Sequence, residues 1–94
     1  MGKLCRRQIL YTGWPQGVGL RFAVPDIAKQ FHLNGWVTNR PDGKVEVVVE
    51  GSRENAEAFI AFLDKKYDFL ISPKEKEVKK LKAKGDLTEF RIEL

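Results

Sequence analysis

The chain has 94 residues, enough for one small domain with a modest hydrophobic core, and we expect a single domain over residues 1–94. Hydrophobic residues make up 43% and charged residues 32% of the sequence, which excludes a compositionally disordered protein. The net charge of +4 favours anionic ligands in general without requiring a nucleic acid. One cysteine, Cys5, and one histidine provide neither an internal disulfide nor a cluster for structural zinc, so no metal site is expected.

No apolar stretch approaches the length needed to cross a membrane, and the N-terminal residues lack the apolar region of a secretory signal. A lone thiol fits the reducing cytosol, where structural disulfides are rare. These features predict a cytoplasmic protein without a membrane partner.

The first predicted element is a strand over residues 4–12, in which residues 9–11 (Ile-Leu-Tyr) carry the β-propensity. Two arginines and a glutamine at positions 6–8 interrupt the alternation of apolar and polar residues. The first half of this strand is therefore expected to be exposed or frayed.

A glycine-rich stretch follows this strand, with Gly13, Gly17 and Gly19 preceding Arg21. Glycine allows tight turns and lets successive backbone N–H groups come close to a ligand. A helix starting here would add unpaired N–H groups and the positive end of its dipole. The arginine would add a planar fork of hydrogen-bond donors. Together these features predict a site for a phosphate or a carboxylate.

The segment after the glycines has apolar residues three to four positions apart, which predicts an amphipathic helix. Pro25 leaves two alternatives for its start. Either the helix begins beside Arg21 with an irregular first turn, or regular helix begins only at Pro25. Asn34-Gly35 predicts the end of the helix, because glycine is the usual residue in the left-handed conformation that stops a helix.

A β-hairpin is predicted next. Residues 36–39 form a short strand, and residues 41–43 (Pro-Asp-Gly) are a strong turn signal. Residues 44–50 then alternate, with three valines on one face and Glu46 and Glu50 on the other. Strand, turn and strand together make the hairpin.

Ser52 is the expected N-cap of a second helix, whose apolar stripe runs to Tyr67. Residues 68–73 predict a loop that crosses the edge of the core. The lysine-rich segment 74–84 stays open, because its two strong apolar residues lie three positions apart, which is helix spacing. Residues 88–94 alternate again and predict a final strand.

Two amphipathic helices beside a mostly antiparallel sheet predict an α+β protein with a two-layer sandwich. The split βαββαβ arrangement fits the order of the elements most economically, with both helices covering one face of the sheet.

Two separated motifs resemble those of the acylphosphatase family, which combines a glycine loop ending in arginine with a Gly-Trp-Val-x-Asn stretch before an Asp-Gly turn. The first motif matches Gly13, Gln16-Gly17-Val18-Gly19 and Arg21. The second matches Gly35-Trp36-Val37-Thr38-Asn39 and Asp42-Gly43. The likeness extends from about Tyr11 through the second helix.

The resemblance implies a ferredoxin-like fold, a strand for the lysine-rich segment, and hydrolysis of acyl phosphates without a metal or cofactor. It also implies that the phosphate is bound by Gln16, Gly17, Val18, Gly19, Leu20 and Arg21. Asn39 would orient the attacking water, because its amide offers both a donor and an acceptor. The implied partners are a small-molecule acyl phosphate and inorganic phosphate, or another anion, as product or inhibitor.

Other interpretations stay open at this level. Trp14-Pro15 and Pro25 depart from the usual residues of the family, and they motivate an alternative, a catalytically impaired phosphate- or anion-binding module of the same fold. Asn39 also has a structural interpretation as a turn-former. Nucleic-acid binding on the sheet is opposed by the two glutamates of the hairpin, so no nucleic-acid partner is expected. The short chain and a lysine-guarded edge strand favour a monomer.

Overall fold

The computed structural model describes residues 4–12, 20–66 and 76–93, and the side chains of all of these except residues 20–22. Its elements, in chain order, are β1 (Leu4–Tyr11), α1 (Leu20–Gln30), β2 (Asn34–Asn39), β3 (Val45–Ser52), α2 (Arg53–Lys66), β4 (Lys76–Leu81) and β5 (Phe90–Glu93). The lysine-rich segment that composition left open therefore contains a strand, as the family resemblance implied. The predicted loop 68–73 and Tyr67 lie outside the described residues.

The sheet has the strand order β4-β1-β3-β2-β5. All neighbouring strands are antiparallel except β2 and β5, which are parallel. The elements from β1 to β4 complete the predicted βαββαβ arrangement, and β5 extends the sheet beyond β2. The predicted α+β, ferredoxin-like sandwich is confirmed.

One hydrophobic cluster lies between the sheet and both helices, and it contains the three valines of the predicted alternation. α1 packs on β2 and β5, whereas α2 packs on β1 and β3. Both helices thus cover the same face of the sheet, and the other face carries Glu46 and Glu50. Val45, Val47 and Val49 are almost fully buried, as period-two alternation on a half-covered strand requires.

The backbone is helical from Leu20, so the first of the two alternatives for the start of α1 is correct. Pro25 lies inside this helix. Because proline has no N–H group, the carbonyl of Arg21, four residues earlier, lacks its usual intrahelical donor. The proline is thus accommodated without moving the start of the helix away from Arg21.

The predicted stop of α1 at Asn34-Gly35 is wrong. The residue with left-handed backbone geometry at the end of the helix is His32, with φ of 57°. The N–H groups of His32 and Leu33 bond back to carbonyls of the last turn at 3.0 Å, which ends the helix before β2 begins. Gly35 instead lies within β2, where a Cβ atom would stand 1.8 Å from the carbonyl oxygen of Val48. A glycine is required at position 35 because β2 and β3 approach each other too closely for a side chain.

The predicted exposure of the first half of β1 holds for Leu4, which is 49% exposed, but is wrong for the two arginines that follow Cys5. Arg6 and Arg7 are both buried. The guanidinium of Arg6 donates hydrogen bonds of 2.8 Å to Glu50 and to Asp86. The carboxylate of Glu50 also accepts the backbone N–H groups of residues 84 and 85, each at 3.1 Å. This polar network attaches the β4–β5 connection to the sheet.

The predicted N-cap of α2 is confirmed by a hydrogen bond of 3.0 Å from the backbone N–H of Asn55 to Oγ of Ser52. Because this bond satisfies a helix N–H group that has no intrahelical partner, we expect Ser52→Ala to lower the free energy of unfolding by about 1 kcal/mol. Urea denaturation would measure this change in the free energy of unfolding. Ser52→Asp retains an acceptor and should change the free energy by less than about 0.5 kcal/mol. Equal losses in both variants would contradict the capping role.

Candidate active site

The C-terminal ends of β1 and β2 meet at one edge of the sheet. Tyr11 and Asn39, the last residues of these strands, are both register partners of Val45 on the intervening strand β3. Two inter-strand spacings place their Cα atoms about 10 Å apart. The predicted water-orienting residue Asn39 therefore lies at the edge from which the glycine loop leaves β1.

The start of α1 lies at the same edge. Residues 31–33 alone separate the end of α1 from β2, so the helix runs back along the strand that follows it. An 11-residue helix is about 16 Å long and a six-residue strand about 20 Å. Since α1 packs along β2 and β5, its first turn, which contains Leu20 and Arg21, lies toward the end of β2 that carries Asn39.

The first turn of α1 contains no acidic residue. Its unpaired N–H groups and the positive end of the helix dipole are therefore not neutralised by a carboxylate from that turn. α2 differs, because Glu54 occupies its first turn. The N-terminus of α1 has the electrostatic character that binds an anion.

The Asn39 side chain is half-buried. It stands two positions after the fully buried Val37, and residues two apart in a strand share a face, so Asn39 lies on the helix-covered face of the sheet. The tight turn of the hairpin begins one residue later, where the N–H of Gly43 bonds to the carbonyl of Arg40 at 3.0 Å. Within residues 4–12, 20–66 and 76–93, no hydrogen bond engages the Asn39 amide. The hydrogen bonds of the turn are made by the backbone of Arg40, Gly43 and Lys44, which follow Asn39.

The other polar residues of this turn are paired among themselves. Arg40 forms ion pairs with Asp42 at 3.3 Å and with Glu46 at 3.9 Å. Asp42 also accepts the N–H of Lys44 at 3.0 Å, which fixes the turn. Arg40 is thus engaged by two carboxylates.

Tyr11, which is separated from Gly13 of the glycine loop only by Thr12, is buried beneath this edge of the sheet. Burial and the nearby carboxylate of Asp64 raise the pKa of the Tyr11 hydroxyl, so this group stays neutral at physiological pH. Asp64 itself pairs with Lys76 at 2.5 Å. Tyr11 therefore adds no negative charge that would repel an anion at the site.

Of the predicted site residues, the structure describes Asn39 and the backbone of Leu20 and Arg21. Gln16, Gly17, Val18 and Gly19 lie outside the described residues. In the part of the chain that the structure describes, no group of three or more metal-ligating side chains is found. No described helix is long and apolar enough to cross a membrane.

One cavity lined by described residues lies away from this edge. It measures about 380 Å³ and lies at the opposite end of α1, between the end of that helix and the start of β5. Its lining includes Lys29, His32 and Phe90. The candidate site is therefore defined by the strand ends and the helix N-terminus and not by this cavity.

Comparison with known proteins identifies the family to which the chain is similar. Residues 7–92 match the family model described as Acylphosphatase, a span that contains both motifs. An acylphosphatase of Methylococcus capsulatus is 34% identical over 87 residues, which cover 93% of this chain and 94% of that protein. An acylphosphatase of Trichormus variabilis is 47% identical over 58 residues, or 62% of this chain. That match spans 57% of the Trichormus protein, less than two thirds of its length.

Comparison with solved structures also finds acylphosphatases. The crystal structure of acylphosphatase from Bacillus subtilis superposes with a TM-score of 0.80 at 29% sequence identity. The superposition covers 98% of this chain and 100% of the Bacillus chain. Similarity in sequence and in fold therefore extends over nearly the whole of the chain.

Proposed function

The chain belongs to the acylphosphatase family, and on this premise we propose that it hydrolyses the carboxyl–phosphate bond of acyl phosphates. The products are a carboxylate and inorganic phosphate. The proposal is supported by the position of Asn39 at the sheet edge toward which α1 begins, in a helix whose first turn contains no acidic residue. A polar amide beside an anion-binding helix start can hold a phosphate and a water together.

The phosphoryl group is held by the side chain of Arg21 and by the backbone N–H groups of the glycine loop. The residues that contribute are Gln16, Gly17, Val18, Gly19, Leu20 and Arg21. The positive end of the α1 dipole stabilises the negative charge of the phosphoryl oxygens. Stabilisation of this charge and fixed positioning account for most of the catalysis of phosphoryl transfer.

Asn39 orients the attacking water, since its amide oxygen accepts a hydrogen bond and its NH₂ group donates one. The water oxygen forms a bond to phosphorus as the bond between phosphorus and the acyl oxygen breaks. The leaving carboxylate keeps the bonding electron pair, and the two protons of the water remain on the phosphate product. A carboxylate is a good leaving group, so the reaction needs no strong acid.

This chemistry requires a small-molecule acyl phosphate as substrate and releases inorganic phosphate. Because phosphate is the product, it should also act as an inhibitor. We further propose that the protein works as a monomer in the cytoplasm. The exposed outer strand β4 carries Lys79 and Lys80, and lysines on an edge strand oppose pairing with another chain. Light scattering at increasing protein concentration would test the monomeric state.

Benzoyl phosphate, a generic acyl phosphate, provides the test of the proposed reaction. We expect the protein to release inorganic phosphate and benzoate in equal amounts without added metal, and inorganic phosphate to inhibit competitively. No release above the uncatalysed rate would overturn the proposal. If phosphate titration then produced NMR shifts near Asn39 without hydrolysis, the protein would be an anion-binding module.

A further inference from the structure

Glu46 on β3 joins three separate segments of the chain through one carboxylate. Its register partners are Leu10 on β1 and Thr38 on β2, so it stands between the two strands that end at the candidate site. The side chain lies on the sheet face that the helices leave uncovered and is only 17% exposed. Its position suits a residue that links neighbouring strands.

Both carboxylate oxygens of Glu46 are used. Oε1 accepts the indole N–H of Trp36 at 3.2 Å. Oε2 accepts the amide of Gln8 at 2.6 Å and lies 3.9 Å from the guanidinium of Arg40. Hydrogen bonds to an ionised acceptor are stronger than neutral ones, so these contacts restrain β1, β2 and the hairpin turn together.

Two of these contacts lie on either side of Asn39. Trp36 precedes Asn39 by three positions and Arg40 follows it directly. The ring of Trp36 is further restrained by the guanidinium of Arg6, which lies 5.9 Å from the ring centroid. The backbone that carries Asn39 is thus fixed before and after that residue by the same carboxylate.

We infer that Glu46 is a positioning residue for the hydrolytic reaction, which fixes the direction of the Asn39 amide without touching the substrate. The inference rests on the proposed function, because it assigns Asn39 the orientation of the water. Misplacement of a group by about 1 Å can cost about 100-fold in rate. One sequence signal points to this role: a glutamate that faces away from the core within the strand following the Asp-Gly turn.

The test compares Glu46→Leu with Glu93→Leu. Glu93 is a matched control, because it flanks Thr38 on the opposite side from Glu46, in the same row of the sheet. Its carboxylate pairs with Arg91 of its own strand at 2.9 Å. Glu46→Leu should lower kcat for benzoyl phosphate roughly tenfold, whereas the inhibition constant of inorganic phosphate changes less than about twofold. Glu93→Leu should leave both constants unchanged.

Glu46→Gln should keep kcat within about threefold, because the Gln8 amide can rotate to accept from the new amide. A kcat of Glu46→Leu equal to that of Glu93→Leu would overturn the inference. So would a parallel loss of phosphate affinity, which would indicate general disruption of the site. If Glu46→Leu fails to fold, Trp36→Phe replaces it, since it removes the indole donor but keeps an aromatic ring, and it should lower kcat several-fold.

Hydrogen exchange separates this inference from the proposed function. The N–H of Arg40 bonds to the carbonyl of Lys44 at 2.8 Å and reports directly on the turn. Its exchange should quicken about tenfold in Glu46→Leu and remain unchanged in Glu93→Leu, whether or not the wild-type protein hydrolyses acyl phosphates. Unchanged exchange in both variants would overturn the positioning role by itself. Absence of wild-type hydrolysis would overturn the proposed reaction, and faster exchange in Glu46→Leu would then show only that Glu46 restrains the turn beside Asn39.

Discussion

Replacement of Arg21 by glutamine is expected to lower kcat/KM for benzoyl phosphate about 1,000-fold. Arg21 lies in the first turn of α1, which contains no acidic residue. Glutamine keeps much of the length of the side chain but loses the charge and the planar fork that binds two phosphoryl oxygens. The loss corresponds to about 4 kcal/mol of transition-state stabilisation.

Steady-state kinetics and phosphate inhibition would measure this effect. Because Arg21 is proposed to bind the phosphoryl group throughout the reaction, KM and the inhibition constant of phosphate should both rise as kcat falls. Arg53→Gln is the matched control, since Arg53 is the first residue of α2 and its side chain pairs with Glu57 on the surface. A kcat/KM for Arg21→Gln within threefold of this control would refute the proposed phosphate site.

Replacement of Asn39 by alanine is expected to lower kcat about 100-fold, or about 2.7 kcal/mol, with little change in phosphate inhibition. The amide orients the water but does not hold the phosphoryl group, so its loss should slow the chemical step alone. The free energy of unfolding of the Asn39→Ala variant should be nearly unchanged, because no hydrogen bond joins the Asn39 side chain to the described residues.

Asn34→Ala provides the comparison for this variant. Asn34 begins the strand that Asn39 ends, and its amide donates to the carbonyl of Leu87 at 2.9 Å, far from the candidate site. It should lose stability but keep kcat. The opposite pattern, with Asn39→Ala active and Asn34→Ala impaired, would move the reaction away from this sheet edge.

Arg21→Gln and Asn39→Ala together distinguish binding from chemistry. One is expected to change KM, kcat and phosphate inhibition, and the other kcat alone. Their effects also differ from that of Glu46→Leu, which should resemble Asn39→Ala at about one tenth of the magnitude. A graded series of this kind would support a site in which the phosphate is held by one element and the water by another.

Local patterns in the sequence were sufficient where the physical cause is local. Alternation of valines places one face of β3 in the core, and a serine oxygen caps the helix that follows it. The Asp-Gly turn is likewise set by its own residues, through the Asp42 side chain and the positive φ of Gly43. These features gave the fold class, and the spacing of two motifs gave the family.

Local patterns failed where the cause lies in distant residues. Arg6 is buried because its partners, Glu50 and Asp86, lie 44 and 80 positions away in the sequence. Gly35 was assigned to a helix stop, yet its glycine is required by the close approach of β3. β4 is a strand despite helix-like spacing, because pairing with β1 supplies its backbone hydrogen bonds.

The candidate site divides in the same way. The sequence by itself determined the residue types, namely a glycine loop ending in Arg21 and an asparagine before a turn, and hence the class of chemistry. Only the tertiary structure decided that Asn39 and the start of α1 share one sheet edge, because this depends on the strand order and on the packing of α1 along β2. It also decided that one carboxylate, Glu46, restrains the chain on both sides of Asn39, a contact between residues that sequence spacing does not bring together.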